Sequence, residues 1–143
     1  MKLAYAVLAD AAQVTPDGKV SMLGGDFDTI FARTFPAPHA LLSLVMRFDV
    51  ERRECGYEHR LQIMLLGPLN SPVMPAATTA FVPQINPALT DRPVKAFIVV
   101  NLQGLVFQTQ GTYHFHISVD DVKKGELPLY LTRLPGLDTA THH

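Results

Sequence analysis

Three observations predict an all-β chain, an antiparallel β-sandwich of eight or nine strands. Segments alternating apolar and polar side chains recur along most of its length, a period of two that belongs to strands with one face on a core. Prolines and glycines punctuate those segments at short intervals, as turns between strands do. No amphipathic helical period persists for the length of an ordinary helix. Jelly-roll-like and other Greek-key connectivities both satisfy the pattern, and a closed barrel is the alternative architecture.

Residues 111–120 carry the alternation most clearly. Tyr113, Phe115, Ile117 and Val119 fall on one parity and are expected to face the core; His114, His116 and Ser118 fall on the other. Gly111 and Asp120-Asp121 punctuate the two ends.

From the start, residues 3–14 read as the first strand, although their alanine content also suits a helix. Thr15-Pro16-Asp17-Gly18 is a turn, and residues 19–23 return as a short strand. A hairpin favours strand for the opening segment. After Gly24-Gly25-Asp26, residues 27–35 place Phe27, Ile30, Phe31 and Phe35 at a spacing that fits neither period, which predicts a bulged or irregular edge segment. Residues 36–39 form an extended loop, because each proline restricts the residue before it.

Residues 41–51 are a strong strand with Leu42, Leu44, Met46, Phe48 and Val50 on one parity. Residues 51–56 make a charged turn, and residues 57–66 follow with Leu61, Ile63 and Leu65 in phase. The two strands read as a long central hairpin. Six prolines from Pro68 to Pro93 forbid a long helix and leave room for one strand, residues 77–85, at an edge. Residues 94–107 form the next strand, with Phe97, Val99, Leu102 and Val106 as its core candidates and Gly104 as a bulge. Residues 120–125 are a polar turn, and residues 127–134 are the last strand, which Pro128 places at an edge.

The 143 residues make one domain, 1–143, with His142 and His143 read as a tag remnant. An apolar fraction of 48% and a mean hydropathy of +0.14 fit a folded chain and not a disordered one. A net charge of −1 without blocks of like charge argues against nucleic acid or a polybasic membrane contact. Cys55 is the only cysteine, so no intrachain disulfide forms, which fits a reducing compartment. The apolar residues before Asp10 are too few for a good secretory signal, and no run reaches the ~18 of a membrane span. A cytoplasmic location is expected.

His114 and His116 are the sharpest candidates for chemistry. At i and i+2 on a strand both imidazoles point the same way, and imidazole is a common metal ligand. A third ligand would have to come from elsewhere, with His39 and His59 as candidates, so the plainer reading is two solvent-facing histidines. Asp26 with Asp28, and Asp120 with Asp121, match no calcium-loop spacing and are ordinary turn residues. Cys55 follows Arg52-Arg53-Glu54, but no base or oxyanion signature accompanies it. Gly24-Gly25 precedes a β-like segment, so it is no phosphate loop.

The opening Leu3 to Val14, then Asp17-Gly18-Lys19, Phe27 to Phe31, Phe35-Pro36 and the strand from Gly111 to Asp120 resemble a family of bacterial proteins of unknown function. The resemblance covers nearly the whole chain and implies a mostly β, single-domain protein. It brings no activity and no site residues.

Residues 41–46 and 97–100 are apolar on both parities, so both faces of those strands should be covered, by the proline-rich loop or by another subunit. The expectation is a non-enzymatic binding or assembly module whose partner is protein, its own copies included as a homo-oligomer, with no cofactor. Two alternatives are a small-molecule or carbohydrate-binding sandwich and a metal-dependent enzyme using His114 and His116.

Overall fold

A computed structural model describes residues 1–135; the histidines read as a tag remnant, His142 and His143, lie outside the described residues. Ten strands run in chain order: β1 (Lys2–Ala9), β2 (Ala11–Val14), β3 (Val20–Leu23), β4 (Thr29–Ala32), β5 (Ala37–Val50), β6 (His59–Leu66), β7 (Ala77–Phe81), β8 (Val94–Phe107), β9 (Gly111–Val119) and β10 (Val122–Arg133). Single 3-10 turns occupy Arg52–Glu54 and Pro68–Asn70, and no α-helix occurs among the described residues. The fold is all-β. The strand number exceeds the eight or nine expected because the opening segment breaks at Asp10 into β1 and β2.

The strands form a three-stranded sheet in the order β1-β5-β8, a five-stranded sheet in the order β4-β10-β9-β6-β7, and the β2-β3 hairpin. All pairs are antiparallel except β4 with β10, which are parallel. The inner faces of the two larger sheets share one core, which includes Leu44, Phe48, Leu61, Ile63, Phe107, Tyr113, Phe115 and Ile117. β1 packs against β10, so the layers close on that side as a half-barrel. On the opposite side β7 and β8 are the two unpaired rims.

Several expectations need correction. β5 and β6 are not a hairpin: β5 pairs with β1 and β8, whereas β6 pairs with β7 and β9. Both strands bury one alternate face, but they meet across the core and not side by side. The charged turn between them, capped by Glu51 and Glu54, carries the chain from one sheet to the other.

On β8 the expected face is half wrong. Leu102 is buried, but Val106 is 41% exposed, and Ala96, Ile98 and Val100 pack on the core in place of Phe97 and Val99. The core side then moves to Leu105 and Phe107. Gly104 has φ +66 at this change of parity, a conformation L side chains resist. It is not a bulge with an extra residue: Leu105 faces His39 and Gln103 faces Leu41, so the register stays the same. β5 changes parity at the same level, from Ala37 to Leu42.

The prolines also fall differently. Residues 36–39 are not all loop, since β5 begins at Ala37 and includes Pro38. β1 reaches only Ser43 to Asp49 of β5, so on that side Pro38 has no neighbour that needs its missing N–H. Pro128 sits inside β10, which starts at Val122 and not after a long polar turn. β4 pairs only with Tyr130 to Arg133, so Pro128 too lies where its strand is a local edge.

Other expectations agree with the structure. The turn at Thr15–Gly18 joins β2 to β3, with Gly18 at φ +80. β4 and β7 are edge strands. Tyr113, Phe115, Ile117 and Val119 all point inward and are buried.

Candidate functional site

The outer face of the three-stranded sheet is built from three cross-strand rows. Tyr5, Arg47 and Phe97 form one, Val7, Val45 and Val99 the next, and Ala9, Ser43 and Asn101 the third. Val45 and Ser43 are fully buried although they point away from the shared core. Tyr5, Val7, Phe97 and Val99 are half-buried. Their spacing follows from strand geometry: alternate residues of β1, β5 and β8 reach this face, and aromatic and β-branched side chains pack well across a ladder.

Polar groups frame this apolar strip. The Arg47 guanidinium lies 5.7 Å from the centre of the Tyr5 ring, and its Nη2 is 3.2 Å from Asp49 Oδ1. Its buried Nε–H has no acceptor among the described residues. Ser43 Oγ donates to Asn101 Oδ1 at 2.6 Å. β2 packs against both β5 and β8 without forming a ladder with either. The proline-rich segment reaches elsewhere: Arg52 Nη2 donates to the Leu89 carbonyl and the Gly56 N–H to the Pro83 carbonyl.

A second constellation was not singled out from the sequence. His59, at the start of β6, is 4% exposed. Its Nδ1 is 2.7 Å from Asp120 Oδ2 and its Nε2 2.6 Å from the Glu54 carbonyl oxygen. The ring lies between Tyr57 and Phe81, with centroids 4.9 and 5.7 Å away. Burial opposes the imidazolium charge, but the Asp120 hydrogen bond and the Glu54 carbonyl outweigh it, and the His59 pKa stands above its ordinary value. Asp120 is held below the usual carboxylate value, first by His59 and then by the Arg60 N–H. The sequence did carry a signal, since His59 shares the parity of Leu61, Ile63 and Leu65.

His114 and His116 point outward from β9, as their parity requires, with ring centroids 6.5 Å apart. His116 Nδ1 is 3.3 Å from Glu126 Oε1 on β10, and Lys123 also bonds that carboxylate. Neither suggested third ligand comes to them: His39 lies on β5 beside Phe107, and His59 is enclosed as described. Among the described residues no three His, Cys, Asp or Glu groups are placed to hold a metal ion. Asp120 and Asp121, both at positive φ, form the two-residue turn from β9 to β10. Asp28 Oδ1 accepts a hydrogen bond from Thr29, and the Asp26 N–H bonds the Leu8 carbonyl. Cys55 is half-buried, with Sγ 3.6 Å from the Glu51 carbonyl oxygen.

One cleft of about 740 Å³ brings Lys2, Arg52 and Arg92 together with Asp49, Glu51 and Asp91, beside Val50 and Pro93. Another, of about 540 Å³, lies beside β4 and includes Asp26, Asp28, Phe27 and Phe31. Neither joins the histidine pair. No helix among the described residues is long and apolar enough to cross a membrane.

No curated protein matches the chain. The sequence profile of DUF6941 matches residues 4–132, from within β1 to within β10, and the chain belongs to this family of unknown function.

Proposed function

We propose that this chain is a single-domain, sandwich-type β protein of the cytoplasm that works by binding and not by chemistry, with its own copies as the favoured partner. One observation carries the reading: the apolar strip of Tyr5, Val7, Phe97 and Val99 around Val45, on the face of a sheet that points away from the core. Such a face is ordinarily polar where it meets water, and an apolar strip with a polar frame marks a contact surface. The 740 Å³ cleft, where Lys2, Arg52 and Arg92 meet Asp49, Glu51 and Asp91 beside Val50 and Pro93, is the place for the small-molecule alternative.

Light scattering on untagged protein over a range of micromolar concentrations tests this. A mass of two or more chains is expected, and Phe97→Asp should shift it to the monomer, because association would bury the new carboxylate unpaired. A wild type that stays monomeric throughout would remove the reading.

A further inference from the structure

We infer that two copies join edge to edge through β8, continuing the three-stranded sheet across a two-fold axis at Ile98; this rests on the self-association reading above. The two larger sheets have four edge strands among the described residues, and three of them are guarded. β4 has four residues and β7 five, with Pro75 and Pro83 on either side of β7. β1 is bulged between Leu3 and Tyr5, and Phe27 bridges to Leu8 on it. These are the ordinary means by which sheets avoid pairing with other chains.

β8 lacks them from Ala96 onward; only its start is flanked, by Pro93 and by the open cleft that Val94 and Lys95 share with Gly18, Gln84 and Leu89. It is fourteen residues long, contains no proline and carries one charge, Lys95. Its ladder to β5 has no register shift, and among the described residues no backbone group pairs with its other side. A row of unpaired N–H and C=O groups on a strand this rich in valine and isoleucine is a template for another strand.

The register follows from the faces. A two-fold normal to the sheet keeps outer residues opposite outer residues, so the numbers of paired residues must sum to an even value. The axis at Ile98 pairs Phe97 with Val99 and Lys95 with Asn101 on the outer face, and Ala96 with Val100 and Val94 with Leu102 on the inner. Aromatic meets β-branched, polar meets polar, and no like charges meet. The ladder uses residues 94–102 and stops before Gly104, where the core side of the strand changes. An axis at Val99 would instead set Phe97 against Asn101. A second copy of this chain therefore fits the edge and covers the half-buried Phe97 and Val99. The result is one six-stranded sheet, three strands from each copy.

A charge cycle in full-length protein tests it, with sedimentation equilibrium giving the dimer Kd. Lys95 and Asn101 are both exposed, and N101D still offers an oxygen to the Ser43 hydroxyl, so the fold should tolerate the changes. N101D places a carboxylate across from Lys95 twice per dimer and should tighten it roughly two- to thirty-fold. K95E should stay near the wild type, and K95E combined with N101D should weaken the dimer by a similar factor. Amide exchange over residues 94–102 should also slow as the protein is concentrated. A dimer with the same Kd in all four proteins overturns the β8 interface and leaves self-association standing. A wild-type monomer at every concentration overturns both and leaves the edge to a strand from a different protein.

Discussion

His59 Nδ1 lies 2.7 Å from Asp120 Oδ2, a bond that ties the first residue of β6 to the turn between β9 and β10. The other ring nitrogen faces the Glu54 carbonyl. An ionised carboxylate and a carbonyl can only accept, so the geometry favours the imidazolium, whose two ring nitrogens both donate.

That protonation state sets a pH window. With the His59 pKa raised, its contribution to stability is complete below about 6.5, the unfolded value, and is lost as pH rises through the folded one. With the Asp120 pKa lowered, its contribution is complete above about 3.9 and is lost as pH falls through the folded value. Between those limits the link is whole. Denaturant unfolding of the wild type and of His59→Gln should show a stability difference that shrinks above neutral pH. A difference that grows with pH would contradict the imidazolium.

Asp120→Ala should cost about 1–3 kcal/mol near pH 6, from the charged hydrogen bond to His59 and the bond from the Arg60 N–H. Alanine would also occupy a position with φ +51, which adds to the loss. Asp120→Asn keeps an acceptor and tolerates that backbone, so it should lose less. Equal losses in the two variants would assign the effect to something other than hydrogen bonding and backbone.

Phe115→Ala should destabilise by about 3–5 kcal/mol, as for other large-to-small changes in cores. Phe115 is 0% exposed, between β6 and β10, where Leu65 and Leu127 face it on the two sides. Thermal or denaturant melting measures the loss, and one below ~1 kcal/mol would mean that the site collapses around the gap.

Untagged protein prepared without added metal should contain no stoichiometric zinc. Glu126 is the carboxylate nearest His116, and Lys123 already holds it. Elemental analysis decides this. Stoichiometric zinc that disappears in His114→Ala would restore the metal-enzyme alternative.

By itself the sequence determined the strands and, for most of them, the buried face. Tyr113 to Val119 alternates strictly, and Leu42 to Val50 and Leu61 to Leu65 each keep one parity wholly apolar, so a period of two indicates the inward side. It also determined the tight turn at Thr15–Gly18, where Gly18 takes φ +80, but it drew the turn after Val119 out to Gly125, whereas Asp120 and Asp121 alone make it. It left β8 ambiguous, because residues 97–100 are apolar on both parities and the inward side then depends on the partner strand. Tertiary structure alone placed β5 and β6 in different sheets. Alternation states that a face is buried but not which face it meets, and ladder pairing is set by residues far apart in the chain. The same limit hid the bond from His59 to Asp120, which are 61 residues apart. It also hid the free edge of β8, since an edge is defined by the strand that does not lie beside it.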